Sequence, residues 1–252
     1  MLKECRALVS ACYPTDKDVL ILKSFDSEPI TIMVGAAEKK FFVHESHIRS
    51  SSEFFDITMN HDWKEKSTRT ITLPEQDPEA FAIYIKWLYS GHFFIKEDDN
   101  EEEEYGHNDD GILDTEWENW SHSYKLGDFL LDEDFKDALI DMAIERMRDE
   151  VHYVDLPSSI YDYSSTGSPH RQLALDVALH AWPNLEFNMV EKRAHPLEFL
   201  TDLVRIMGTK IRIGIEKRST YELLSPDINT CRYHEHTPKG ALCYKDKCKF
   251  LF

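Results

Sequence analysis

The sequence predicts a mixed α/β fold of the α+β kind, with short strands early in the chain and helices after them. Three observations predict it. Short apolar runs divided by turn residues, with two short helical stretches among them, occupy the chain from Asp18 to Pro74. From Pro78 onward apolar residues recur at helical spacing, and Ser, Asp, Pro or Gly stand where helices start and stop. No apolar run approaches the roughly 20 residues needed to cross a bilayer.

Asp18 to Phe25 and Pro29 to Val34 are apolar runs split by Asp26, Ser27 and Glu28, read as a hairpin or two neighbouring strands. Lys39 to Val43 is the next strand. A turn of helix follows at Glu45 to Arg49. Ser50, Ser51 and Ser52 then supply hydroxyls able to accept from the free N–H groups of a helix carrying Phe54, Phe55, Ile57 and Met59. Ile71 and Leu73 alternate with Thr70 and Thr72 as in a half-buried strand, which Pro74 stops. Pro78 opens a helix with Phe81, Ile85 and Leu88 at its spacing, and Gly91 stands where a left-handed cap is wanted.

Helical spacing resumes at Ser121 to Leu130 and at Glu133 to Arg148, the latter with Asp132 as cap. In it Phe135, Ala138, Leu139, Met142, Ala143 and Met147 form one face, and Asp137, Asp141, Glu145 and Arg148 the opposite one. Leu156-Pro157 begins a short helix. Ser168-Pro169 begins another, with Leu173, Val177, Ala178, Ala181 and Trp182 inside and Pro183 as its stop. His195-Pro196 leads into a long last helix, Leu197 to about Lys217, whose expected buried face is Leu200, Leu203, Val204, Met207 and Ile211.

The net charge is −18, and twelve acidic residues fall between Glu97 and Glu118 without a Lys or Arg. This segment is read as a solvated, disordered insertion, or as an acidic docking segment for a basic partner. Phosphate contacts need clustered Lys and Arg, so general nucleic-acid binding is not expected. The N-terminus is a poor secretory signal, because Glu4 and Arg6 break its apolar patch. A soluble protein of the cytoplasm or nucleus, with no membrane partner, is the expectation, and a disulfide framework is not.

The order of apolar strand, His44, small helix, serine-rich cap, Phe54-Phe55, strand, Asp77-Pro78-Glu79-Ala80-Phe81 and Trp87-Leu88-Tyr89-Ser90-Gly91 resembles the BTB/POZ domain. Within that family it is most similar to BTB domain-containing proteins of filamentous fungi. Weaker similarity continues through Tyr124 to Met147 and Leu156 to Trp182, where Ser168, Pro169, His170 and Arg171 fit the same pattern. The resemblance implies a BTB fold with a helical C-terminal extension, acting as a protein–protein interaction module. The organisation read on this basis is an N-terminal segment at 1–17, a BTB core at 18–96, the acidic insertion at 97–118, helical completion and extension at 119–217, and a Cys/His-rich tail at 218–252.

Two candidate sites follow. Trp63-Lys64-Glu65 stands where BTB proteins that recruit cullin-type ubiquitin ligase scaffolds often carry an apolar residue, any residue, then Glu. An exposed apolar anchor beside an orienting charge is the physical logic of that partner site. In the tail, Cys231 with His234 and Cys243 with Cys248 form close pairs divided by a turn at Pro238 and Gly240, with His236 as alternative fourth ligand. Thiolate and imidazole ligands in two pairs suit tetrahedral zinc, and a set filled by protein would be structural. The competing reading is a flexible tail with reduced thiols. His44 is read as a packed or capping residue.

No GxSxG elbow, phosphate-binding glycine loop or HExxH occurs, and catalysis is not expected. The leading function is an adaptor or oligomerisation scaffold, with a homodimer and a cullin as candidate partners. The alternatives are a self-associating transcription or chromatin regulator and a zinc-dependent enzyme.

Overall fold

The structure is a computed structural model that describes residues 27–60, 68–93, 115–148, 156–190, 192–211, 214 and 218–247. Strands β1 (Pro29–Val34) and β2 (Lys39–His44) pair antiparallel, Pro29 opposite His44 and Val34 opposite Lys39. Gly35, at φ +75°, and Glu38, at φ 52°, turn the chain between them. Strand β3 (Thr70–Leu73) lies parallel on the other side of β1, giving the order β2-β1-β3. Ile30, Ile32 and Val34 alternate into the core with Ile71 and Leu73, as a period of two requires. The apolar run before Asp26 lies outside the described residues.

Helices α1 (Glu45–Ser51) and α2 (Glu53–Asn60) cover the sheet with α3 (Pro78–Ser90). Of the three serines it is Ser52 that caps α2, accepting from the Phe55 N–H at 3.4 Å and donating to the Leu130 carbonyl at 2.6 Å. Asp77 caps α3 by accepting from the N–H groups of Glu79 and Ala80, and Gly91 ends it at φ 71°. His44 is packed rather than capping: its backbone N–H donates to the Tyr89 hydroxyl at 3.0 Å, and its Nδ1 meets the same oxygen at 2.8 Å.

Helix α4 (Thr115–Phe129) begins six residues before the expected Ser121 and takes in the end of the acidic stretch. Glu116 is buried there and paired with Arg146, so this part of the acidic run is structural. Helix α5 (Glu133–Arg148) has the expected bounds, and Asp132 caps it by accepting from the Phe135 N–H at 3.0 Å. Asp132 also accepts from the Ser51 and Tyr84 hydroxyls, and Phe135 packs edge-on to Tyr84 at 5.0 Å between ring centroids. One carboxylate thus joins the strand-bearing half to the helical half.

Helices α6 (Leu156–Asp162), α7 (Pro169–His180), α8 (Asn184–Met189) and α9 (Leu197–Lys210) complete the body. Ser168 caps α7 by accepting from the His170 N–H. The expected buried face of α9 is corrected: Phe199 and Leu203 are buried, while Val204 is 68% and Ile211 70% exposed. Phe199 packs against Tyr161, Trp182 and His195, and with that ring inward Leu200 and Met207 stay partly buried against the core while Val204 and Ile211 face out. Helix α10 (Thr220–Leu223), two 3₁₀ turns (Thr230–Tyr233 and Tyr244–Asp246) and α11 (His236–Lys239) build the tail. Among the described residues no helix is long and apolar enough to cross a membrane.

Candidate metal centre

The tail docks on the face of α5 that amphipathic spacing assigns to solvent. Asp137, four residues and hence about one turn before Asp141, is wholly buried, and Asp141 nearly so. Asp137 Oδ1 accepts from the Glu235 N–H at 2.7 Å and from His170 Nε2 at 2.9 Å. Asp141 Oδ2 accepts from the Tyr244 hydroxyl at 2.6 Å and lies 2.7 Å from Lys245 Nζ. Tyr233, fully buried, donates to Asp176 of α7, and Arg232 pairs with the same carboxylate.

These contacts bring Cys231, His234, His236 and Cys243 together, with one ligand atom from each lying within 4.8 Å of all the others. The first 3₁₀ turn carries Cys231 and places His234 at its end, α11 starts at His236, and Gly240 at φ 62° turns the chain back toward Cys243. His234 Nδ1 lies 3.3 Å from His236 Nε2 and 3.8 Å from Cys243 Sγ. Three of the four side chains are buried, and Cys231 is partly so.

The outer ring nitrogens face acceptors. His234 Nε2 lies 3.1 Å from Asp141 Oδ2, and His236 Nδ1 lies 3.2 Å from the Ala241 carbonyl. Burial opposes ionisation of Asp141, and His234 and Lys245 more than reverse it, holding the carboxyl well below the usual range. Burial pushes the Cys243 thiol up to about 12, against the pull of the Lys245 N–H. The group is one that could hold a metal ion, and among the described residues it is the one such cluster.

Of the residues singled out by sequence, Cys231, His234 and Cys243 are assembled, and the alternative ligand His236 stands with them. Cys248 lies outside the described residues, as do Trp63, Lys64 and Glu65. Sequence reasoning missed Asp137 and Asp141 as partners of the tail. Their spacing of four on α5 was the available signal, since it sets two carboxylates on one stripe.

The architecture around the sheet defines an α/β protein of the BTB class, a small sheet under helices with further helices after it. Residues 23–104 match the family model of the BTB/POZ domain, and the fold is a BTB fold. Among solved structures, the BTB (Tramtrack and Bric a brac) domain of human gigaxonin is 15% identical with a TM-score of 0.35, the match covering 53% of this chain and 97% of that one. The BTB domain of zebrafish PATZ1 is 13% identical with a TM-score of 0.35, covering 54% and 99%. No curated protein matches the chain. The match points to a role in protein–protein interaction.

Proposed function

We propose that the chain is an adaptor or oligomerisation scaffold that holds other polypeptides through its BTB domain and recruits clients to a cullin-type ubiquitin ligase. The observation that carries the reading is the BTB/POZ match over residues 23–104, joined through Asp132 to a helical body. Exposed apolar side chains on that domain support it: Phe42 on β2 is 70% exposed and Ile57 on α2 is 43% exposed. Among the described residues β2 ends the sheet, and an edge strand offers backbone groups that a second chain can pair with. The partner face for the cullin is Trp63-Lys64-Glu65, with Trp63 as apolar anchor and Glu65 as orienting charge.

Calorimetric titration of the full chain with the N-terminal domain of a cullin tests the reading. Binding at tens of micromolar or tighter, lost in Trp63→Ala, is expected. A dimer by light scattering with no heat on titration would instead favour a self-associating regulator of transcription or chromatin.

A further inference from the structure

We propose that Cys231, His234, His236 and Cys243 together bind one zinc ion, which fastens the C-terminal tail onto α5. The assignment is independent of the interaction role.

Distances are the first support. With Zn–N near 2.05 Å and Zn–S near 2.3 Å, a tetrahedron separates two nitrogen ligands by about 3.3 Å and a nitrogen from a sulfur by about 3.6 Å. His234 Nδ1 and His236 Nε2 are 3.3 Å apart, and His234 Nδ1 and Cys243 Sγ are 3.8 Å apart. The chain holds these atoms at coordination spacing through its own turns.

The outer contacts of the two rings are the second support. His236 Nδ1 faces a carbonyl, which accepts only, so this nitrogen carries the proton and Nε2 presents a lone pair inward. His234 Nε2 lies 3.1 Å from the Asp141 carboxylate without a formed hydrogen bond, and that negative charge favours the proton on the outer nitrogen, leaving Nδ1 to the centre. A carboxylate or carbonyl behind each imidazole is the arrangement that orients metal-ligating histidines. A single proton shared between the rings would also satisfy them, but it leaves both thiols without a role. Asp137 Oδ2, buried and without a hydrogen-bond partner, lies 3.9 Å from His234 Nδ1, so the surroundings are anionic and favour a dication.

Two sulfurs and two imidazoles select a borderline-soft ion over magnesium or calcium, and four protein ligands close the site to substrate. On binding, both thiols release their protons to solvent, and the dication with two thiolates is neutral overall. The zinc is therefore structural. His236 takes the place that sequence spacing alone gives to Cys248.

Metal analysis of the dialysed full chain tests the site. About one zinc per chain is expected, and less than about half would overturn it. Titration with cobalt(II) should give the absorption of a tetrahedral centre with a thiolate-to-cobalt band. Cys243→Ser is expected to lose metal and band, and Cys248→Ser to keep both. His236→Cys, which retains four ligands, should hold zinc and strengthen the band, with circular dichroism confirming that it folds. An unchanged band in His236→Cys, or loss of metal in folded Cys248→Ser, would overturn the ligand set.

Discussion

His170 Nε2 donates to Asp137 Oδ1 over 2.9 Å, and neither side chain has any exposure. The same oxygen accepts the Glu235 N–H, and His170 Nδ1 accepts from the Tyr124 hydroxyl at 2.7 Å. Four elements therefore meet on one imidazole–carboxylate pair: α4 through Tyr124, α5 through Asp137, α7 through His170 and the tail through Glu235. The pair explains why α5 carries aspartates on a face it does not show to water.

Asp137→Ala removes the acceptor of two buried donors. Each stranded donor costs about 1–3 kcal/mol, so a loss of about 2–6 kcal/mol is expected. Asp137→Asn keeps one acceptor oxygen and should lose less. Urea denaturation of both variants checks the order, and an alanine variant as stable as the parent would contradict the docking of the tail on α5.

Stability should also fall with acid through His170. Burial holds its pKa below the ordinary 6.5, against the opposing pull of Asp137. The folded state thus keeps the ring neutral, while the unfolded chain takes up a proton as pH drops through that value. The contribution is complete above pH 6.5 and is lost progressively below it, at no more than about 1.4 kcal/mol per pH unit. Unfolding free energies from pH 7.5 to 5 should slope less in His170→Gln than in the parent, provided the variant folds by circular dichroism. Equal slopes would remove His170 from the account.

Ser168 works at both ends of its side chain, capping α7 and donating to Glu235 of the tail at 2.5 Å. Ser168→Ala should cost about 1–2 kcal/mol, the range of a lost cap, and Ser168→Asp should restore the cap while placing a second charge against Glu235. Thermal unfolding that ranks the serine above both variants would agree with this double role.

Local signals were the legible part of the chain. Asp132 before α5, Ser168-Pro169 at α7 and Gly91 after α3 act through backbone groups within a few residues, and each stands where its neighbours predict. Partners brought from afar were not legible. Asp137 and Asp141 read as a solvated stripe because the residues that cover them lie about a hundred positions later, at Glu235 and Tyr244. The tail was legible in kind: two cysteines and a histidine of the expected set converge. Spacing left the choice between His236 and Cys248 open, since it cannot tell which way the chain turns after Gly240.

Helix α9 shows the same limit and gives the sharpest test of it. Its sequence carries two overlapping apolar stripes, Phe199-Leu203-Ile206 and Leu197-Leu200-Val204-Met207-Ile211, each at helical spacing. Periodicity cannot choose between them; the rings of Tyr161 and Trp182 do, by taking Phe199. Leu203→Ala should then open a cavity and cost about 2–5 kcal/mol, whereas Val204→Ala, one residue on, should stay within about 0.5 kcal/mol of the parent. Denaturant midpoints of the two variants decide it, because the two positions share one helical turn and differ sharply in burial. Equal losses at both positions would mean that α9 is covered on two sides.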